Sequence, residues 1–392
     1  MAYHFSEMQL RVFQKYCRQS RNKSWLKDCR MIILEHILPT TQSMIELLLE
    51  AGTDVFAIFA KPYSIDPNVL ENLKQKKLNV IQKTYQELET EDIIKDTIND
   101  AIAASKSDGK KIILLDVGGY FAAPIQQIEK EDLKYIYGIV EDTTFGHNRY
   151  LASKSKIDVP IYSVARSALK EIEAHFVGRD AVLAVDTILR SIGILLSGRH
   201  SLVVGYGMIG KNVAIALRNS DMKVSVYDNQ DQRNLTAYID GFNIHKKKEL
   251  IKTADIIFFA TGNPQGALTL DEIEECKNNV ILASAGSKDT EFALSDIKDQ
   301  AISSKEIGPN LMEYTLSNDT HIIVVKEGTA VNFLLPSLSV EVLDLVFSEI
   351  LLCVLQLLKN HEQDVIKLHE INTIRDENLN AISKDWLRIV NN

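Results

Sequence analysis

A chain of 392 residues is long enough for two domains. Its composition, 45% hydrophobic and 25% charged, is that of a folded globular protein and excludes a disordered one. With 44 Lys and Arg against 53 Asp and Glu, the net charge is -9, which excludes nucleic-acid binding through a generally basic surface. Cys17, Cys29, Cys276 and Cys353 lie far apart with no CxxC pair, so neither a zinc site nor a disulfide framework is predicted, and reduced thiols in a cytoplasmic protein are expected. Residues 1–20 interleave Arg11, Lys15 and Arg18 with apolar residues, which leaves no signal-peptide core. The most apolar stretch, Val340 to Leu358, contains Glu341, Asp344 and Glu349. Each acidic group would cost roughly 3 kcal/mol in hydrocarbon, so the stretch reads as a buried helix and no membrane partner is expected.

Along the chain, short β-rich runs alternate with longer helical periods, an α/β pattern with parallel sheets. Met31–Leu34 is predicted as a strand. Thr41–Glu50 reads as a helix, with Met44, Ile45, Leu47 and Leu48 at helical spacing and Ala51-Gly52 as its stop. Asp54–Phe59 and Lys111–Asp116 follow as strands. The second of these runs into Val117-Gly118-Gly119, which puts Asp116 at a carboxyl edge, where open α/β sheets gather ligands. Apolar residues from Leu183 to Leu196 predict one long helix over 182–197. A second α/β unit then extends from Ser201 to about Glu327, and the helical block after Pro336 is expected to return to the first domain. The predicted organisation is a discontinuous substrate domain, 1–182 with 338–392, interrupted by a Rossmann-type domain, 183–337, both built on doubly wound parallel sheets. Lys246-Lys247-Lys248 reads as a solvated helix start.

The run His200-Ser201-Leu202-Val203-Val204-Gly205-Tyr206-Gly207-Met208-Ile209-Gly210 places a GxGxxG pattern after an apolar strand and ahead of a helix. A second strand, Lys223–Tyr227, ends at Asp228, close to the roughly 20-residue spacing of a dinucleotide fingerprint. Gly205 allows the tight turn, Gly207 lets backbone approach a pyrophosphate, and Gly210 lets helix and strand pack closely. The helix start at Met208 and Ile209 offers free N–H groups and a positive dipole to phosphate. Asp228 can accept both ribose hydroxyls and would repel a 2′-phosphate, which favours NAD over NADP; Arg233 is the one nearby feature that argues the other way. Strands at 255–259 and 280–283 end in Ala260-Thr261-Gly262-Asn263 and Ser284-Ala285-Gly286-Ser287, loops predicted to line the same crevice. The competing reading, a glycine-rich turn without a ligand, is disfavoured by this full strand–turn–helix–strand–Asp context.

Together with Leu115-Asp116-Val117-Gly118-Gly119, Val140-Glu141-Asp142-Thr143-Thr144 and Lys326-Glu327-Gly328-Thr329-Ala330-Val331-Asn332, this motif is similar to the S-adenosylhomocysteine hydrolase family over roughly residues 30–358. The resemblance implies a substrate domain and an NAD domain closing over a cleft, usually in a tetramer. It implies an NAD that oxidises the ribose 3′-hydroxyl and so acidifies the C4′ proton. Homocysteine is then eliminated, water is added and the hydride returns. Gly205, Gly207, Gly210, Asp228, Thr143, Thr144, Thr261 and Asn332 stand where family members contact NAD, with Met208, Ile209 and Gly262 beside them. The substrate side departs from the family. Its paired aspartates are here Asp116-Val117, its Glu-Glu is Glu141-Asp142, and its Asp-Asn pair is Ala174-His175. Its catalytic His is Ser287, and the Thr and Glu that help read adenine are Leu38 and Thr40. The C-terminal Lys and Tyr that reach a neighbour's NAD site have no counterpart in Asp385-Trp386-Leu387-Arg388.

Lys170 aligns with the family's redox lysine and is the leading candidate for the proton acceptor, on the expectation that burial lowers its pKa toward neutrality. The competing reading is a solvated lysine. His36 matches a family active-site His. Asp142 is read as a substrate ligand or as a turn aspartate, and His147 as an open candidate. His175 is a replacement acid or base; five positions beyond Lys170, it points roughly 140° away on one helix, so the two share a cleft only where the helix ends between them. The expected function is NAD-dependent oxidation of a secondary alcohol on a nucleoside- or sugar-like small molecule, without authentic adenosylhomocysteine hydrolysis. The alternative is a non-catalytic NAD-binding regulatory homologue. A homodimer or homotetramer is expected, because Val340–Leu358 reads as too apolar for one domain to cover. No metal constellation is predicted.

Overall fold

The computed structural model describes residues 10–20, 24–263, 266–286, 290–335, 338–363 and 365–390. The expectation at Ser287 lies outside the described residues. The chain divides into two compact units, Met1–Lys170 with Ser339–Asn392, and Glu171–Leu338.

In the first unit β1 (Cys29–Ile37), β2 (Asp54–Ile65), β3 (Val80–Gln82), β4 (Lys111–Asp116), β5 (Ile136–Glu141) and β6 (Ile161–Ser163) precede the second unit. The second unit holds β7 (His200–Val204), β8 (Lys223–Tyr227), β9 (Asn243–Ile244), β10 (Ile256–Phe259), β11 (Val280–Ser284), β12 (Ser303–Gly308), β13 (Leu311–Thr315) and β14 (His321–Val325). The chain then returns to the first unit with β15 (Ile371–Asn372). The first sheet runs β15-β6-β5-β4-β1-β2-β3 and every pairing is parallel. Along β1, Met31 and Ile33 enter one hydrophobic cluster while Ile32 and Leu34 enter the other. A strand buried on both faces is therefore a continuous apolar run, which is why Met-Ile-Ile-Leu is legible as one.

The second sheet runs β12-β13-β14-β11-β10-β7-β8-β9. Its core is parallel, but β12 and β13 pair antiparallel, as do β13 and β14. The sheet is mixed, which corrects the all-parallel expectation. The outermost strand, Ser-Ser-Lys-Glu-Ile-Gly, is polar and exposed over its first four residues, so it carries no apolar signal.

The helix placed over 182–197 instead spans Ala168–Ser191, and Gly193, at φ +83°, lies in the turn that follows. Ala181, Val182, Val185 and Leu189 pack into the second unit's core, so the division falls after Lys170 and not at 182. The helix Val340–Glu362 is covered by its own unit: Leu345, Val346, Phe347, Ile350, Leu351, Val354 and Leu357 pack with β1, the helix Pro39–Glu50 and the helix Arg11–Ser20. The premise that a second copy must cover it is therefore removed. No helix among the described residues is long and apolar enough to cross a membrane, and the four cysteines are buried and form no disulfide.

Asp344 explains how one acidic residue sits in that apolar helix. Its oxygens accept the N–H groups of Val12 (2.8 Å) and Phe13 (2.9 Å), capping the helix Arg11–Ser20 from the far end of the sequence. Burial pushes this carboxyl up to about 6, against the pull of those N–H donors. Replacing Asp344 by Ala leaves two helix N–H groups without their partner and is expected to lower unfolding stability by about 1–2 kcal/mol in urea titration, with Asp344→Asn less harmful. Equal stability of the Ala variant and the wild type would contradict the capping role.

Candidate active site and cofactor site

In the first unit the carboxyl ends of neighbouring parallel strands bring chemistry to one edge. β1 supplies Glu35 and His36, β2 Lys61 and Ser64, β4 Asp116, and β5 Glu141 followed by Asp142. Glu141 is fully buried and accepts four hydrogen bonds, from the N–H groups of Gly118 (3.1 Å), Gly119 (2.9 Å) and Thr143 (2.6 Å) and from the Thr143 hydroxyl (2.6 Å). Gly118 and Gly119 adopt φ of +121° and +70° to present those donors. Burial and the neighbouring Asp116 nevertheless push Glu141 well above the usual carboxylate range. Asp116 is turned inward: it accepts the Phe121 N–H (3.0 Å) and the Tyr150 hydroxyl (2.5 Å) and holds the loop after β4.

With Glu141 anchoring the loop, Asp142 pairs with Lys170. Nζ lies 2.9 Å from Oδ1 and 2.8 Å from Oδ2, with side-chain exposures of 12% and 15%. The lysine is fixed at a helix start, where its N–H donates to Ser167 Oγ (3.1 Å). The Ser167 hydroxyl in turn donates to Glu349 (2.6 Å), whose carboxyl burial pushes up to about 7, with Asp142 adding and Lys170 opposing. His36 Nδ1 lies 2.5 Å from Ser64 Oγ.

Lys61 is buried at the end of β2 and donates to the Val117 carbonyl (2.9 Å). Desolvation lowers it to about 8, opposed by Glu141, Glu35, Asp116 and Asp142. Glu35 is pushed up to about 8 by burial and by Asp142, against the His36 N–H, Lys61 and Lys170.

The structure thus brings Lys170 and Asp142 together and places His36 at the same sheet edge. His147, with Nδ1 3.0 Å from Ser163 Oγ, is lowered to about 4 by burial and by Arg166, so it is neutral at physiological pH. His175 is exposed, with Nδ1 3.3 Å from Asn212 Oδ1, and the helix through Lys170 and His175 is unbroken. The condition under which the two could share a cleft is not met. Thr143 spends its hydroxyl on Glu141 and accepts the Gly146 N–H (3.0 Å), capping the helix that the exposed Thr144 opens. Glu35, Lys61, Glu141 and Glu349 were not among the candidate site residues read from the sequence. For Glu35 and Lys61 the signal was present: a charge interrupting an apolar strand that is buried on both faces.

In the second unit the glycine turn follows β7. Gly205 has φ +97°, and a Cβ there would stand 2.6 Å from the Ala260 carbonyl oxygen. A Cβ on Gly210 would stand 1.9 Å from the Gly205 carbonyl oxygen. Gly207 differs: its Cβ direction is open except for Arg233 Nη1 at 3.6 Å, so bare backbone faces outward ahead of the helix Met208–Asn219. Such a cradle, with free N–H groups at a helix start, fits the pyrophosphate of a dinucleotide. Asp228, at the end of β8, accepts the N–H groups of Tyr206 (2.7 Å) and Gln230 (2.9 Å). Beyond β10, Thr261 and Gly262 are gathered by buried Glu291, which accepts both their N–H groups (3.1 and 2.9 Å) and the Thr261 hydroxyl (2.5 Å). Asn332 is buried in the turn after β14, next to Ala330, which bridges to Ser284 of β11.

The profile of the S-adenosyl-L-homocysteine hydrolase NAD-binding domain matches residues 175–337. The adenosylhomocysteinase of Thermotoga maritima is 27% identical over 357 residues, covering 90% of this chain and 86% of its own. That of Sulfurisphaera tokodaii is 27% identical over 391 residues, covering 98% and 91%. That of Saccharolobus solfataricus is 29% identical over 341 residues, covering 86% and 79%. Over most of its length the chain is similar to adenosylhomocysteinases, and residues 175–337 match the NAD-binding domain of the S-adenosyl-L-homocysteine hydrolase family. Its second unit is a Rossmann-type domain matching that NAD-binding domain, and its cofactor is NAD. Within this S-adenosylhomocysteine hydrolase relative, the glycine turn, Asp228 and the helix start are the groups that would hold the dinucleotide.

Two outcomes are expected. Gly207→Ala should fold with unaltered stability, because its Cβ meets open space, and any loss of NAD affinity then reports a clash with the cofactor. Gly210→Ala should lose both stability and binding, and a Gly210→Ala protein that melts and binds like the wild type would contradict the packing role of that glycine. Glu349 offers a pH test. Its folded value of about 7 lies above the ordinary 4.5. Folding therefore favours its protonated form, and stability is present below about pH 4.5 and lost as pH rises through about 7. Glu349→Gln should flatten the fall of the melting temperature between about pH 5 and about pH 8; an unchanged slope would contradict it.

Proposed function

We propose that this chain is an NAD-dependent enzyme that oxidises a secondary alcohol of a nucleoside- or sugar-like small molecule, with Lys170 taking the hydroxyl proton. The observation that carries the reading is the half-buried Lys170–Asp142 pair at a carboxyl edge of the first sheet. Bound NAD supplies the hydride acceptor. Loss of hydride from an alcohol carbon needs the hydroxyl proton removed in step. The substrate proton passes to Lys170 Nζ as one Nζ proton passes to an Asp142 oxygen. The proton then rests on Asp142, and the ammonium stays beside the oxygen that develops negative charge. His36, braced by Ser64, orients the substrate. His175 has no part in this step, because its ring leaves the helix on another side. Homocysteine elimination is left out of the reading because Val117, where the family carries its second Asp, packs in the hydrophobic cluster with Tyr120 and Phe121.

A non-catalytic regulator that retains NAD is the second reading. It is favoured by the way both Asp142 oxygens are taken up by Lys170, as in a structural staple. The test is anaerobic mixing of the NAD-loaded protein with nucleosides and sugars while following NADH absorbance. Lys170→Ala should slow reduction by about a hundredfold or more, and Asp142→Asn by about tenfold or more. If no secondary alcohol reduces the bound NAD, or if Lys170→Ala leaves turnover unchanged while lowering the melting temperature, the staple reading stands instead.

A further inference from the structure

In a Rossmann unit the acid that ends the second strand meets the adenosine ribose, and the glycine turn meets the pyrophosphate. A guanidinium lies between those two features here. Arg233, in the first turn of the helix Asp231–Ile239, brings Nη1 to 3.4 Å from Asp228 Oδ2. The same nitrogen stands 3.6 Å from the point that a Cβ on Gly207 would occupy. The two partners are exposed very differently: 43% of the Arg233 side chain is open, against 3% of Asp228.

Asp228 is also spent within the protein. It accepts the backbone N–H groups of Tyr206 and Gln230, which ties the glycine turn to β8. A carboxylate that stands open at this edge repels a 2′-phosphate. This one is buried, hydrogen-bonded and matched by a cation, so an arriving group meets the guanidinium first. Among the described residues the guanidinium's one hydrogen bond is to Asp228. Its remaining N–H donors form the planar fork that suits phosphate oxygens.

We propose that Arg233 opens the adenosine end of the site to a ribose 2′-phosphate, so that this unit binds NADP as well as NAD. The proposal rests on the NAD reading of the glycine turn, and its test keeps the two apart. Full-length protein freed of nucleotide is titrated calorimetrically with NAD and, separately, with NADP, as wild type and as Arg233→Ala. NADP should bind the wild type within about tenfold of NAD. Arg233→Ala should weaken NADP by about tenfold or more while changing NAD by less than about threefold; retained NAD binding also shows that the variant folds. The proposal is overturned if wild-type NADP binding is weaker than NAD by more than about tenfold, or if the variant loses both dinucleotides by the same factor. The second result would make Arg233 a pyrophosphate contact. If neither dinucleotide binds the wild type, the NAD reading fails, and this proposal fails with it.

Discussion

No atom can be added at Gly210. A side chain there would stand 1.9 Å from the Gly205 carbonyl oxygen, and one at Gly205 would strike the Ala260 carbonyl. These two exclusions fix a turn tight enough to start a helix directly beyond β7, and they aim its first N–H groups outward past the open Gly207. The turn's Tyr206 N–H is bonded to Asp228, so the glycine turn and the carboxyl end of β8 are held together.

Buried glutamates play a comparable part in both units. Glu141 gathers the N–H groups of Gly118, Gly119 and Thr143 after β4 and β5. Glu291 gathers Thr261 and Gly262 after β10. Burial raises the pKa of both carboxyls, and each holds a loop at a carboxyl edge where ligands of such sheets bind. Rigid loops are what allow Asp142, and not its neighbour Glu141, to meet Lys170. The two adjacent acids in Glu141-Asp142 thus divide the work, one organising backbone and the other holding the lysine.

The parallel strands were legible because burial on both faces makes them uninterrupted apolar runs: Lys111–Asp116 and Lys223–Tyr227 fall where the sequence places them. The strand Ser303–Gly308 was not, because an exposed edge strand needs no apolar residues. The helix Ala168–Ser191 was misplaced at both ends, since its first residues serve the first unit and its apolar residues the second. The glycine turn and Asp228 could be singled out from spacing alone, because they lie within one short βαβ segment, whereas Thr143, Thr144 and Asn332 were named through family likeness. On the substrate side, Lys170, His36 and Asp142 were singled out through family likeness. Glu349 is 182 positions from Ser167, and no local pattern announces such a contact. Arg233 was noticed in the sequence, but its pairing with a buried Asp228 depended on how the acid's other hydrogen bonds were spent.

The central claim is that the second unit grips a nicotinamide dinucleotide at the turn Gly205–Gly210. Hydrogen–deuterium exchange of the full chain with and without NAD tests it most directly. Slowed exchange is expected at the backbone amides that open the helix Met208–Asn219 and at those flanking Asp228. Protection confined to other segments, or none at saturating NAD, would contradict it.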